Sequence, residues 1–240
     1  MPNEKISLVI PAYNEEKYIG SCLECAIKNS NGKFFEIIVV DNASTDRTAE
    51  VAARQRGVRV VREGKKGLTR ARQRGFQEAK GDLIAYFDAD TQMPAGWVEK
   101  ATSEFQKDPK LVCLSGPYLY YDIPVWQQSL SKFYANILVM AVQFIFGYVI
   151  NGGNFIIRRE TLERMNGFDT SIEFYGEDAN VARRAHEFGK VRFDLRLVMP
   201  TSGRRLNGQG ALKTSFLYVS NYLSEALFHR PAHKKYTDIR

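Results

Sequence analysis

The 240-residue sequence contains only three cysteines, too few for a disulfide framework, and this scarcity favours a reducing compartment. Cys22 and Cys25 are spaced as i and i+3 on a predicted helix. No second Cys or His pair completes a zinc site, so we interpret both as core residues. The N-terminal segment carries Glu4 and Lys5 and lacks an apolar stretch long enough for a signal peptide. We therefore expect a cytoplasmic protein.

Two common nucleotide-binding signatures are also missing. No Gly-X-Gly-X-X-Gly follows the first predicted strand and no Walker A sequence occurs, which argues against a dinucleotide dehydrogenase and a P-loop enzyme. Internal repeats, low-complexity segments and linker-like stretches are absent as well. The length then predicts one main domain over residues 1–210 and an appendage over 211–240.

The formal net charge is +7, which indicates an anionic partner such as a nucleic acid, a nucleotide or an acidic membrane surface. The basic residues are spread along the chain, and no recognised nucleic-acid-binding module is present. We therefore expect no nucleic acid partner and favour a nucleotide, with a membrane surface as a further candidate.

Strand and helix patterns alternate four times in the first ninety residues. This alternation predicts an α/β fold with a mostly parallel, doubly wound sheet flanked by helices. The predicted strands in this half are 6–10, 36–40, 58–62 and 83–87, and the predicted helices are 15–28, 47–55 and 68–79. In the second half we predict a strand over 111–121 with a turn at 116–117, another strand at 191–199, and helices at 97–106, 160–165, 179–189 and 211–228.

Polar residues follow three of the predicted strands directly. They are the segment 11–15, Asp41, and the pair Asp88 and Asp90. In doubly wound sheets ligands bind at the carboxyl ends of the strands, so these residues are expected at one edge.

Asp88 and Asp90 are predicted to point the same way, because side chains alternate along a strand. Two carboxylates that face one space repel each other unless a cation or hydrogen-bond donors lie between them. A divalent metal that also binds a diphosphate fits this position. The alternative is that Asp88 caps a turn and Asp90 is solvated.

The segment 133–150 is an apolar run that reaches the minimum length of a membrane span. A single span would place Asp90 and Asp178 on opposite sides of a membrane, so we favour a buried or interfacial helix. The aromatic helix 211–228 and the basic tail 229–240 are further candidates for contact with lipid. The same apolar surface could instead be buried in a homodimer.

Two later motifs also indicate a site. Gly152 and Gly153 precede a predicted strand, which suggests either a close approach of the backbone to a ligand or a plain turn. Glu177 and Asp178 lie at the start of a predicted helix, where the helix dipole favours carboxylates. Helix capping is the alternative role for this pair.

Five segments together resemble family 2 glycosyltransferases with the GT-A fold. They are 9–16, 38–46, 87–90, 167–169 and 175–178, and they occur in the family's order and approximate spacing over about residues 5–195. The resemblance implies an inverting enzyme that moves a sugar from a nucleoside-diphosphate sugar, of the UDP or GDP type, to an acceptor hydroxyl. The acceptor would be a saccharide or a lipid-linked molecule in polysaccharide or glycolipid assembly, and the enzyme could be peripheral on the inner face of the membrane.

The resemblance also implies a role for each matching residue. Asp178 would be the catalytic base and Asp90 would bind Mg²⁺ or Mn²⁺, with Asp88 near the ribose and the metal. The donor sugar and acceptor would lie near Gly152, Gly153, Asn154 and Glu177. The nucleotide pocket would be lined by Pro11, Ala12, Tyr13, Glu15, Asp41, Lys66, Arg70 and Asp88.

One departure from the family pattern concerns the metal. Many members supply a histidine after the strand that we predict to end at Met199, and this chain has Arg204 and Arg205 there instead. Either the metal has fewer protein ligands, or these arginines neutralise the diphosphate, or they lie in a solvated loop. A GT-A protein that binds a sugar nucleotide without transfer, or a nucleotidyltransferase, is the alternative function. The Glu177-Asp178 pair argues against both, because neither needs a base there.

Overall fold

Strands and helices alternate along the chain in a computed structural model, which describes residues 4–233 apart from the side chains of 125–127, 129–136, 209 and 211–212. The strands are β1 (Ile6–Ala12), β2 (Phe34–Asp41), β3 (Val58–Arg62), β4 (Leu83–Phe87), β5 (Leu111–Ser115), β6 (Tyr118–Tyr120), β7 (Asn154–Arg158), β8 (Lys190–Phe193) and β9 (Met199–Thr201). The helices are α1 (Ile19–Ser30), α2 (Thr48–Ala53), α3 (Leu68–Glu78), α4 (Trp97–Lys107), α5 (Val125–Phe146), α6 (Arg159–Arg164), α7 (Glu177–His186), α8 (Arg204–Gln209) and α9 (Ala211–Phe228).

The main sheet has the strand order β3-β2-β1-β4-β7-β5-β8, and its mostly parallel, helix-flanked architecture confirms the predicted fold class. β1 pairs in parallel with β2 on one side and with β4 on the other. The strand order therefore reverses between β1 and β4, and a crevice forms outside the carboxyl ends of strands at such a reversal. The segments 11–15 and 88–90 follow these two strands into the crevice.

β7 runs antiparallel to both of its neighbours, β4 and β5. Asn154 at its amino end is paired with Phe87 at the carboxyl end of β4. As a result Gly153 lies beside Asp88, whose backbone N–H donates to the Gly153 carbonyl at 3.4 Å. One reversed strand thus brings the paired glycines to the edge where the parallel strands end.

The strand predicted over 111–121 is interrupted at 116–117, where a turn was predicted, and forms β5 and β6. The prediction of a single strand over 191–199 is wrong, because this segment divides into β8 and β9, and β9 pairs with β6 in a separate two-stranded parallel sheet. Gly116 accounts for the first break, since a Cβ there would lie 2.0 Å from the carbonyl oxygen of Leu197. The two chain segments cross too closely at this point for any side chain, and each then leaves the main sheet.

The core occupies both faces of the main sheet. In β4, Leu83, Ala85 and Phe87 belong to an apolar cluster with α1 and α4, whereas Ile84 and Tyr86 belong to a second cluster with α3 and α7. All five side chains are buried. This two-sided burial explains why the strand reads as a continuous apolar run in the sequence.

The largest differences from the predicted boundaries are at α1 and α5. α1 begins at Ile19 rather than at residue 15, and α5 covers Val125–Phe146 rather than 133–150, with Gly147 in the left-handed conformation after its last residue. Arg204 starts a short helix, α8, so the solvated loop considered for it is wrong. Within residues 4–233 no helix is long and apolar enough to cross a membrane.

The C-terminal helix α9 begins and ends where it was predicted, at Ala211 and Phe228. It packs on α7. At this contact the buried Glu225 of α9 accepts hydrogen bonds from two α7 side chains, Asn180 Nδ2 at 2.9 Å and Arg183 Nη2 at 3.2 Å. The end of the predicted basic tail, 234–240, lies outside the described residues. The division of the chain at residue 210 stays a prediction.

We predict that Gly75→Ala lowers the free energy of unfolding by about 1–3 kcal/mol, because an added methyl overpacks a closed interface. A Cβ at Gly75 on α3 would lie 2.3 Å from Val9 Cγ1 on β1. Gly20→Ala in α1 is the matched control, because its Cβ would lie at an ordinary 3.5 Å from Val51. We expect the control to be neutral or stabilising by up to about 1 kcal/mol. Urea denaturation measures the free energy of unfolding of both variants. Equal changes in Gly75→Ala and Gly20→Ala would contradict overpacking at Gly75.

Candidate active site

A cavity of about 1260 Å³ opens at the carboxyl ends of β1 and β4 and extends to α5 and α9. It is larger than a typical pocket for one small ligand, about 300–1,000 Å³, so it has room for two reactants. Of the residues singled out from the sequence, the structure brings together in its wall Pro11, Ala12, Tyr13, Glu15, Lys66, Asp88, Asp90, Gly152, Gly153, Glu177, Asp178, Arg204 and Arg205.

The small β6-β9 sheet holds the two carboxylates that follow β4. Tyr118 Oη donates to Asp88 Oδ2 at 3.3 Å and accepts the backbone N–H of Gly153 at 2.7 Å. Thr201 Oγ1 donates to Asp90 Oδ1 at 3.2 Å. Strand alternation predicted that Asp88 and Asp90 would share one space, and this second sheet gives each of them a hydrogen-bond donor.

Arg204 provides a positive charge between two buried carboxylates. Its guanidinium pairs with both oxygens of Glu15 at 2.6 and 2.8 Å, and Nη2 lies 3.0 Å from Asp90 Oδ2. Burial raises the pKa of Asp90 to about 7; Arg204 opposes this shift, whereas Asp88 and Glu15 add to it. The position around Asp90 therefore favours a cation.

A loop between β3 and α3 forms another part of the wall. Asn42 Oδ1 accepts the N–H of Gly67 at 2.8 Å, and its Nδ2 donates to the Lys65 carbonyl at 2.8 Å. Between these two residues, Lys66 Nζ lies 3.8 Å from the centre of the Tyr13 ring. Lys66 thus covers one face of the Tyr13 ring in a cation–π contact, which places an aromatic ring and a positive charge together in the wall.

Asp41, Arg70 and Asn154 do not belong to the cavity wall. Asp41 is buried and accepts a backbone N–H of the turn after β2. Asn154 is fully buried, with its Nδ2 donating to the Leu197 carbonyl and its Oδ1 accepting from Trp97 Nε1. These contacts give Asn154 a packing role, and the ligand-binding roles of the three residues stay predictions.

The paired glycines leave no room for side chains. A Cβ at Gly153 would lie 2.1 Å from the Asp88 carboxyl group and 2.6 Å from Tyr118 Oη, and one at Gly152 would lie 2.6 Å from Arg72 Nη2. Any larger residue at Gly153 must displace Asp88. The close approach seen here is to protein side chains, so the predicted approach of these glycines to a ligand stays a prediction.

Arg72 is a site residue that the sequence analysis missed. It is only 1% exposed, and it donates from Nη2 to the Gly152 carbonyl at 2.8 Å and from Nη1 to Glu177 Oε1 at 3.2 Å. The guanidinium therefore joins the glycine segment before β7 to the start of α7. The sequence did contain a signal that Arg72 is buried. Arg72 lies three residues before Gly75, so the two share a face of α3, and this face packs against β1.

The pKa values of Glu177 and Asp178 are both raised, whereas the helix dipole alone would lower them. Burial and the neighbouring Asp178 raise the pKa of Glu177 to about 8, although Arg72 opposes the shift. Burial also raises the pKa of Asp178, against the effect of the Ala179 N–H that donates to Oδ1 at 2.8 Å. A carboxylate with a raised pKa is a stronger proton acceptor near neutral pH.

The charges in the wall indicate how a metal could fit. Within residues 4–233 no three Asp, Glu, His or Cys side chains are grouped so that they could hold an ion by themselves. However, the described wall contains six carboxyl groups and four Lys or Arg side chains, and the raised pKa values of Asp90 and Glu177 bring these charges close to balance near neutral pH. Oxygen ligands from Asp88 and Asp90 suit Mg²⁺ or Mn²⁺, which often use one or two carboxylates together with substrate phosphates.

The family model for Glycosyl transferase family 2 matches residues 7–165. The chain therefore belongs to this family and is a family 2 glycosyltransferase domain with the GT-A fold. Among curated relatives, a dolichol-phosphate mannosyltransferase of Pyrococcus furiosus is 40% identical over 100 residues, covering 40% of this chain and 28% of the relative. Glycosyltransferase AglE of Haloferax volcanii is 31% identical over 193 residues, covering 77% of this chain and 62% of the relative.

Solved structures share the fold over nearly the whole chain. The mannosyltransferase PcManGT from Pyrobaculum calidifontis, solved with GDP-Man and Mn²⁺, has a TM-score of 0.72 at 22% identity and covers 94% of this chain and 64% of its own. Glucosyl-3-phosphoglycerate synthase from Mycobacterium tuberculosis, solved with Mn²⁺, UDP and phosphoglyceric acid, has a TM-score of 0.68 at 22% identity, covering 93% of this chain and 79% of its own.

We predict that Arg72→Met lowers the free energy of unfolding by about 3–5 kcal/mol, because it leaves Glu177 and the Gly152 carbonyl buried without their partner. Urea denaturation provides the measurement. Arg54→Met is the control, since Arg54 pairs with Glu50 on the exposed surface of α2. There we expect a loss of less than about 0.5 kcal/mol. Similar losses in the two variants would show that Arg72 is not a structural link.

Proposed function

We propose that this domain transfers a sugar, with inversion, from a nucleoside-diphosphate sugar to an acceptor hydroxyl in glycan or glycolipid assembly. The observation that carries the proposal is the arrangement of one cavity in which Asp178 shares the wall with the Asp88 and Asp90 pair. Asp178 would then be available as a base, and Asp88 and Asp90 would be available to hold a cation. The solved neighbours with bound GDP-Man or UDP support the same donor class.

The donor's nucleotide would lie at the carboxyl ends of β1 and β2. Tyr13 and Lys66 offer a ring face and a positive charge there, and the segment 11–13 forms the floor. The diphosphate would extend toward Asp90 and Arg204, where the cationic charge is concentrated. UDP and GDP are both candidates for the base.

Asp88 and Asp90 would hold Mg²⁺ or Mn²⁺, and Arg204 now provides the cation at Asp90. A bound divalent ion would supply positive charge to the diphosphate as it leaves. Arg204 and Arg205 would remain near the same phosphates as hydrogen-bond donors. A metal would offset the negative charge that the diphosphate adds to a wall whose arginines already pair with carboxylates.

Asp178 would accept the proton of the acceptor hydroxyl as its oxygen attacks the anomeric carbon. Glu177 is engaged by Arg72 and is therefore assigned to positioning the start of α7. A nucleotidyltransferase or a domain that only binds the sugar nucleotide has no use for a base at this position. Asp178 has a raised pKa and lines an open cavity, and both features favour transfer.

We expect calorimetric titration with UDP and GDP, each with and without Mn²⁺, to show metal-dependent binding of one nucleotide. Asp90→Asn should weaken this binding by about tenfold to a hundredfold in the presence of Mn²⁺ and have little effect in its absence. Asp108→Asn is the control, because Asp108 lies before β5 at the opposite edge of the sheet, paired with Lys190.

Binding that ignores Mn²⁺ in the unaltered protein would assign the diphosphate to Arg204 and Arg205 instead. No binding of either nucleotide under any condition would refute the donor class. Both results are independent of the acceptor, which is not needed in this titration.

We predict that Asp178→Asn lowers kcat by about a hundredfold to ten-thousandfold while nucleotide affinity stays the same. Donor turnover as a function of pH tests the reason. The base must be ionised, so the rate of the unaltered enzyme should rise with pH through the pKa of Asp178, which burial moves above its ordinary value. This rising limb should be missing in Asp178→Asn. An unchanged pH profile would assign the base role to another group.

A further inference from the structure

The C-terminal helix α9 contacts two of the chain segments that form the cavity. Fully buried Glu225 accepts hydrogen bonds from two α7 side chains, Asn180 Nδ2 at 2.9 Å and Arg183 Nη2 at 3.2 Å. Three residues earlier, Tyr222 Oη donates to the carbonyl of Tyr148, in the segment between α5 and β7, at 2.7 Å. Residues three apart are neighbours on one helix face. One face of α9 therefore joins α7 to the segment that precedes β7.

The turn that begins α7 packs closely against α9. Gly176, the residue before α7, has a φ of 82°, and a Cβ there would lie 3.3 Å from Pro231 Cβ and 3.8 Å from Glu225 Cβ. Asp178 follows two residues later, in a turn closed by the Asn180 N–H, which donates to the Gly176 carbonyl at 2.9 Å. The backbone that carries Asp178 is thus in contact with α9 and with the residues after it.

The same two segments are also joined by Arg72 of α3, which donates to the Gly152 carbonyl at 2.8 Å and to Glu177 at 3.2 Å. The family model matches α3 but ends at residue 165, before α7 and α9. The start of α7 is therefore held by α3 through Glu177 and by α9 through Glu225. The second of these contacts involves none of the family motifs in the sequence.

The polar character of the α9 contact argues for a role in positioning. The Arg183 side chain is 19% exposed and that of Glu225 is not exposed, so removing both charges from water costs free energy that an apolar pair would avoid. Hydrogen bonds, however, fix the distance and the direction of the groups that they join. A contact of this kind specifies one position of α7 relative to α9.

We propose that Glu225 is a positioning residue for the transfer reaction. It fixes the first turns of α7 and so places the Asp178 carboxylate at the acceptor hydroxyl, while Tyr222 fixes the segment before β7. The inference rests on the proposed function, in which Asp178 is the base. A reacting group displaced by about 1 Å can lose about a hundredfold in rate. The nucleotide would lie at the ends of β1 and β2, so its binding should not depend on Glu225.

The first test measures turnover of UDP-glucose and GDP-mannose as probe donors, with Mn²⁺ present and water as the acceptor. We expect Glu225→Leu to lower kcat by about tenfold to a hundredfold and to leave the affinity for UDP or GDP, measured by calorimetry, unchanged. Glu225→Gln keeps a carbonyl oxygen for Asn180 and Arg183, so it should recover most of kcat. Glu187→Gln is the matched control, because Glu187 pairs with the same Arg183 at 3.5 Å but is 61% exposed. Its kcat should equal that of the unaltered enzyme.

The second test needs no turnover, because it follows hydrogen exchange of the backbone amides by mass spectrometry. We expect faster exchange over the first turns of α7 in Glu225→Leu and unchanged exchange there in Glu187→Gln. Tyr222→Phe removes one hydroxyl and keeps the ring. It should speed exchange in the segment before β7 and lower kcat by about threefold to tenfold, the value of one hydrogen bond.

Equal losses of kcat and nucleotide affinity in Glu225→Leu would show a general loss of structure and overturn the positioning role. So would an unchanged kcat in this variant, or the same exchange over α7 in Glu225→Leu and Glu187→Gln. If Glu225→Leu does not fold, Tyr222→Phe decides, and unaltered exchange and kcat there would overturn the proposal. An unaltered protein that binds neither nucleotide is a separate result, and it would refute the proposed function itself.

Discussion

Repulsion among carboxylates that share one cavity is the constraint on which the rest of the site depends. Two like charges about 4 Å apart cost about 4 kcal/mol at an effective dielectric constant of about 20, so a few such pairs rival the whole stability of a domain. Two guanidinium groups, those of Arg72 and Arg204, offset this cost by pairing with buried carboxylates. Arg72 pairs with Glu177, and Arg204 pairs with Glu15 and Asp90; Asp88 and Asp178 line the same cavity.

The topology delivers these groups from distant parts of the chain. Parallel β1 and β4 bring their own carboxylates to one edge, and antiparallel β7 brings the paired glycines to the same edge from the opposite direction. Arg72 comes from α3 and Arg204 from α8, on separate sides of the crevice. Arg72 of α3 bonds to the segment before β7, and Arg204 of α8 bonds to the segment after β1. The same two guanidinium groups therefore balance the carboxylate charge and fix the positions of the cavity walls.

The sequence was sufficient for the parts of this arrangement that depend on local pattern. Strand periodicity and the polar residues after β1, β2 and β4 predicted the sheet and part of the cavity wall, and the Gly-Pro pair at 116–117 predicted the break after β5. It was insufficient where tertiary contacts decide. The division of 191–199 into two strands depends on the pairing of β9 with β6, and the burial of Arg72 depends on a partner more than a hundred residues away. A buried arginine on a helix rich in basic residues looks the same in sequence as an exposed one.

The contrast between the two ends of the cavity follows from the same balance. Every described charged group of the wall lies on elements other than α5 and α9, so those two helices can be apolar on the cavity side without leaving a charge unpaired. The charged groups therefore lie at the end of the cavity formed by the carboxyl ends of β1 and β4 and by α7 and α8. Asp178 lies at the N-terminal turn of α7, on which α9 packs, so it stands where the charged end meets the end formed by α5 and α9.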